Sequence, residues 1–251
     1  MLGHDGAPFQ LVLNALAQLV PHLQALLRTS VPASFFEPRL TIPWKLSPAQ
    51  QDIGCIQNGP LTIDVAGTWS AHRTLHADWD KKIDTEASLI RQAGPTLVLS
   101  DVSHLGIAAG AAAGIPTIGL CSLSWDLVLA PFVDPADPAH AAIMNQIRDA
   151  YAKADCFLRV APGLAVTAFR HMRDVGPIAE PTEPKPAALR QAIGATASEK
   201  IILVGFGGIA LQSPPFDHME AMQGFRFLFD GPVPSRFSRI SSLSSVGLPF
   251  K

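Results

Sequence analysis

Cysteine is scarce, and its placement excludes two classes of protein. The 251 residues hold three cysteines, Cys55, Cys121 and Cys156. They are odd in number and far apart, without the paired spacing of a disulfide framework or a zinc site. They read as small apolar core residues of a chain from a reducing, cytoplasmic compartment. An excess of one charge is also missing: 19 Lys and Arg stand against 21 Asp and Glu, a formal net charge of -2 with the signs interspersed. That balance excludes a nucleic-acid footprint and a patch for anionic membranes. No apolar run approaches the roughly 20 residues of a membrane-spanning helix. The start, MLGHDGAPFQ, lacks the basic-then-apolar order of a secretory signal. What remains is a soluble chain, long enough for a sizeable core in one or two domains.

The most informative stretch is PTLVLSDVSHLGIAAGAAAGIPTIGLCSLSW, residues 95–125. Residues 96–100 form a short apolar run without alternation, the pattern of a parallel strand covered on both faces. A small-residue helix over 104–113 and a second strand over 115–121 complete a strand, helix, strand unit, which is α/β architecture. Before it, apolar positions at helical spacing predict a helix over 9–20 and one long helix over 63–92, ended by Gly94-Pro95. A strand is expected at 23–28, a loop with a short helix at 31–38, and weaker extended segments at 40–46 and 54–57. After it come a helix over 140–154 and a strand over 156–160. EPTEPKP, residues 180–186, has the proline and charge content of a linker. A short helix over 186–193 and the apolar run IILV at 201–204 then open a second sheet.

Asp101 falls at the carboxyl end of a buried strand, where open α/β sheets bind ligands, and is therefore the first site candidate. A helix N-cap ahead of His104, supplied by Asp101 or by Ser103, is the competing reading. Ser122, Ser124 and Trp125 follow the neighbouring strand at the same edge and are candidates for contact with a small molecule; Trp69 and Trp79 read as packing residues. His72, His76 and Asp80 repeat every four residues on the predicted long helix. With Arg73, Lys81 and Lys82 around them they read as an exposed, charge-paired face rather than a metal site. Gly205, Gly207 and Ala210 fit a GxGxxA spacing after an apolar strand, with Asp230 where a ribose-binding acid would fall. Ser213-Pro214-Pro215 interrupts the helix that such a dinucleotide site needs, so a tight glycine turn is the less demanding account.

The order of four segments carries a resemblance. GHDGAPFQLVLNALAQLVPHLQALLRTS, then LVLSDVSHLGIAAGAAAGIPTIGLCSLSWD, then DVGPIAE, then IILVGFGGI are similar to successive landmarks of GT-B glycosyltransferases. More closely, they resemble a bacterial glycosyltransferase-like group related to the amino-terminal region of plant arabinokinases. The resemblance implies two Rossmann-like domains facing each other across a cleft, the first holding the acceptor and the second the sugar nucleotide. It places an acceptor-side domain at 1–179, a linker with a short helix at 180–199, and the start of a donor-binding domain at 200–251. It also implies a histidine base in the loop after the first strand and an acid at the end of a later strand. GHDG and SDVS put His4 and Asp101 in those roles, with Ser122, Ser124 and Trp125 on the acceptor and Gly205, Gly207 and Gly208 in a donor-side loop. The expected partners are a nucleotide-sugar donor and an acceptor; no cofactor or metal is implied.

The chain departs from that pattern at both ends. It begins at the Gly-His loop, without the strand that precedes it, and stops before the nucleotide-sugar site. The expectation is a transferase truncated at both ends, with backbone groups exposed on the two strands flanking the missing one. An inactive fragment or a non-enzymatic binding module is the alternative, and a dinucleotide-binding protein a more distant one.

Overall fold

A computed structural model describes residues 7–180, 183–207, 209 and 211–247. They divide into two compact units, Met1–Ile56 with Asp64–Glu180, and Gln57–Ile63 with Pro181–Lys251.

The first unit runs α1 (Ala7–Leu19), β1 (Ala25–Leu27), α2 (Ala33–Phe36), β2 (Trp44–Leu46), α3 (Val65–His76), α4 (Trp79–Ala93), β3 (Val98–Ser100), α5 (His104–Ala113), β4 (Thr117–Cys121), α6 (Trp125–Leu129), α7 (Pro138–Tyr151), β5 (Cys156–Val160) and β6 (Met172–Val175). The strands are all parallel. β1 pairs with β2, and β3-β4-β5-β6 form a second sheet in sequence order. Among the described residues β1 pairs only with β2 and β3 only with β4, so each presents one edge without a strand partner.

The Ala and Gly content of α5 has a direct packing reason. A Cβ on Gly110 would lie 3.3 Å from Val98 on β3 and would run into the Thr117 hydroxyl on β4, so the helix backbone rests on the two strands. Ser103 caps the helix, accepting from the Gly106 N–H at 3.1 Å, which settles the choice of cap in its favour over Asp101. The core beneath is aromatic: Tyr151 stacks on Phe169 at 4.7 Å and Phe169 on Phe157 at 4.0 Å.

The helix expected over 63–92 is two helices. Asp78 adopts a left-handed conformation (φ 52°) that breaks the chain between them, and Lys82 Nζ donates to the freed carbonyls of Thr74 (2.7 Å) and Leu75 (2.6 Å). β6 is an exposed edge strand clipped to β5 by Arg159 and Asp174, whose Nε to Oδ1 distance is 2.7 Å.

The second unit carries α8 (Pro186–Ala192), β7 (Lys200–Val204), α9 (Phe216–Ala221), β8 (Phe225–Phe229) and β9 (Ile240–Ser242), the strands again parallel in the order β7-β8-β9. Phe216, Phe227, Phe229, Phe237 and Ile240 form its core. Glu199 accepts from Arg226 (3.1 Å) and Arg239 (3.2 Å), tying the start of β7 to β8 and β9. No helix among the described residues is long and apolar enough to cross a membrane.

Candidate functional site

In the first unit the loops after β3 and β4 meet at the carboxyl edge of the sheet. Asp101, half-buried, leaves the end of β3 and is hydrogen-bonded to the Cys121 thiol at the end of β4. Burial pushes that thiol up to about 12, and the Asp101 charge pushes in the same direction. Cys121 therefore stays protonated and donates to the carboxylate.

The next residue, Val102, is fully buried with φ 50°, a left-handed conformation rare for a β-branched side chain. Its carbonyl accepts from the Tyr151 hydroxyl at 2.9 Å. Ser103 follows, donating from Oγ to the Gln51 carbonyl at 2.9 Å.

Along the β4 loop, Ser122 is half-buried, and its carbonyl accepts from the Leu164 N–H at 2.8 Å. Ser124 is fully buried and donates to Asp126 at 2.6 Å. Trp125 is buried too. Its backbone N–H donates to the Tyr151 oxygen (3.2 Å) and its indole N–H to Asp52 (3.0 Å). Gly54, at φ 67°, lies so close to the Trp125 ring that a Cβ there would sit 2.8 Å from it. The 51–55 loop thus crosses over the indole and closes one side of this edge.

Beneath that loop lies a feature that the sequence reading placed wrongly. His72 and His76 were expected on an exposed face; both are buried, and they stack with His104 in the interior. Centroids of His76 and His104 are 5.0 Å apart with planes 9° from parallel, and those of His72 and His104 are 6.4 Å apart. The rings bury because α7 packs against α3 and His104 of α5 stacks on both of them, while Asp80 sits exposed on the separate helix α4. His72 Nε2 donates to the Gly54 carbonyl at 2.9 Å and His76 Nδ1 meets Gln146 Oε1 at 2.7 Å. His72 Nδ1, His76 Nε2 and both nitrogens of His104 find no hydrogen-bond partner among the described residues. Burial lowers all three: His76 to about 4, His104 well below the ordinary value, and His72 below it as well. Among the described residues no group of His, Cys, Asp or Glu is arranged to hold a metal ion.

A cavity of about 300 Å³ is lined by Ala130, Val133, Met144 and Arg148; Asp101 is not in its lining.

The second unit has its own strand-end loop. Gly205 and Gly207 follow β7, and Gly207 adopts φ 60°. A Cβ on Gly205 would be 3.4 Å from that of Asp230 at the end of β8. The α9 helix begins only at Phe216 and runs six residues, so no long helix starts directly after the glycines. His4 and Gly208 lie outside the described residues.

Two functional-looking residues escaped the sequence reading. Asp52 gave no signal, standing between the two weak extended segments at 40–46 and 54–57. Tyr151 is the chain's single tyrosine and shares the inward face of α7 with Ile143, Met144 and Ile147. The helix expected over 140–154 includes that position, but nothing in its local pattern indicates that its hydroxyl reaches two loops.

Comparison with known proteins supplies the frame for this geometry. No family model matches the chain. It is 25% identical over 182 residues to the L-arabinokinase of Arabidopsis thaliana, a match that takes in 72% of this chain and spans 18% of the length of that protein. The solved structure of apo UGT2 from Phytolacca americana superposes with a TM-score of 0.53 at 16% identity, covering 100% of this chain and 64% of the other. The likeness at that identity is one of architecture, and with the parallel sheets of both units it gives the fold alone: α/β, built from Rossmann-like units in the GT-B manner.

Proposed function

We propose that this chain serves a glycosyltransferase, carrying the acceptor side of the reaction in its first unit and a donor-side loop in its second. One observation carries the reading: a half-buried carboxylate, Asp101, stands at the carboxyl edge of a parallel sheet, on a loop whose backbone is tied down on both sides. Strand ends of this kind are where α/β folds place ligands.

Transfer of a sugar to a hydroxyl needs a base to take the hydroxyl proton and dipoles to stabilise the departing diphosphate. His4 is the proposed base. Asp101 is its proposed partner, fixing the imidazole tautomer and stabilising the charge the ring acquires. In this reading Ser122 reaches the acceptor, while Ser124 and Trp125, both buried, hold the loop in shape. Gly205, Gly207 and Gly208 let the backbone approach the donor. The sugar, the acceptor and any wider activity belong to the same proposal; kinase activity is named for the arabinokinase, of which this match spans 18%.

A dinucleotide-binding reading has one observation in its favour, the juxtaposition of Gly205 and Asp230 at the ends of paired parallel strands. The late start of α9 weighs against it, because such a site needs a helix N-terminus directly after the glycines. Calorimetric titration with a panel of nucleoside diphosphate sugars and with nicotinamide dinucleotides separates the readings. Acceptor-dependent release of nucleoside diphosphate is the expected result. A folded protein that binds no nucleotide sugar overturns the proposal and leaves a non-enzymatic module.

A further inference from the structure

One hydroxyl joins the two loops that make the strand-end site. Tyr151 sits on the last turn of α7 with no solvent exposure. Its ring is clamped by Phe169 on one side and meets the edge of His104, centroids 6.4 Å apart. Its oxygen donates to the Val102 carbonyl and accepts from the Trp125 N–H. The first bond holds the residue next to Asp101; the second holds the turn that ends the Ser122–Ser124 loop. Val102 is the strained member. A buried valine at φ 50° persists only where its surroundings over-determine it, and the hydroxyl of Tyr151 is one of the groups that does so.

We propose that Tyr151 is the positioning residue of this site: it sets where the Asp101 carboxylate stands by fixing Val102, and it locks that loop to the one after β4. The role rests on the transferase reading for its catalytic meaning, but the positioning itself is testable without it. Burial keeps the phenol neutral and able to donate. Tyr151→Phe retains the ring packing and removes only the shared oxygen. It leaves a carbonyl and an N–H unpaired in the interior and frees the Val102 backbone to relax.

Cys121 reports the outcome, because Asp101 holds its thiol. Alkylation of each cysteine at pH 8.5, followed by mass spectrometry, reads Cys121 with Cys55 and Cys156 as internal references. In Tyr151→Phe the Cys121 rate rises at least about threefold as the thiolate becomes easier to form. In an Asp101→Asn background the same substitution has no further effect, because the carboxylate through which it acts is gone. General loosening would instead raise the rate by the same factor in both backgrounds, and that result, or an unchanged rate, overturns the proposal.

Should the phenylalanine variant not fold, biosynthetic 3-fluorotyrosine labels position 151 alone, since the chain has one tyrosine. Its ¹⁹F resonance shifts on Asp101→Asn if the two are coupled, and an unmoved resonance refutes the coupling. In a transferase assay Tyr151→Phe lowers kcat about 100-fold with KM nearly unchanged. Absence of any transferase activity together with an intact Cys121 effect would retire the transferase reading and leave the positioning role standing.

Discussion

Lowering the pH from 7 to 5 should destabilise the first unit through its buried histidines. His76 is held at about 4, chiefly by burial and then by the nearby His72 and Lys82 charges, against an ordinary 6.5. In the unfolded chain it returns to that ordinary value. Between the two values the unfolded state binds more protons, so stability is full above about 6.5 and is lost as pH falls toward 4. Linkage for this one group gives a loss of about 2 kcal/mol by pH 5 and about 3 kcal/mol by pH 4. His72 and His104 are shifted the same way and add to the loss. Asp137 and Asp174 in the same unit are held below the ordinary carboxylate range, so their contribution disappears only at lower pH. Urea denaturation at pH 7, 6 and 5 measures the slope. His76→Asn, which can keep a hydrogen bond to Gln146 and cannot titrate, should remove His76's share of it. A midpoint that stays level from pH 7 to 5, or an unchanged slope in His76→Asn, would refute the reasoning.

Glu86, buried in α4, pairs with Arg28 beyond β1 and accepts from Gln51 at 3.0 Å. Glu86→Ala leaves the arginine without its partner and should cost about 3–5 kcal/mol in urea denaturation. Ser103→Ala removes the cap of α5 and the bond to Gln51; a loss of about 1–2 kcal/mol is expected in the same assay. Gly110→Ala drives a methyl into the Thr117 hydroxyl and against Val98, so it should destabilise by about 1–3 kcal/mol despite the better helix propensity of alanine. A stabilised Gly110→Ala would show that α5 does not rest on β3 and β4.

The unit from Val98 to Cys121 was legible because three independent signals agree there. An unbroken apolar run marks a covered strand, an Ala- and Gly-rich segment marks a helix pressed on a sheet, and a second apolar run over 115–121 returns to that sheet. The break at Asp78 was not legible, since both flanking helices carry helical apolar spacing and no glycine or proline marks the left-handed residue. β6 escaped for the opposite reason. Met172–Val175 is short and exposed, and only its pairing with β5 makes it a strand. His72 and His76 were misread because Arg73, Lys81 and Lys82 colour that stretch as solvent-facing, whereas burial came from α5 and α7, packed against it from elsewhere in the chain. Asp101 could be placed at a strand end from local pattern alone. The Tyr151 contact that shapes its loop and the Asp52 contact that shapes the loop after β4 span 49 and 73 residues of sequence, beyond anything spacing records.

The central claim is that Asp101 serves transfer chemistry at the edge of the first sheet. The direct measurement is turnover of a nucleotide-sugar donor, with its acceptor, by the natural protein and by Asp101→Asn, with folding checked by thermal melting. The account predicts a loss of kcat of about 100-fold or more with the melting temperature nearly unchanged. Equal turnover in the two proteins would contradict it.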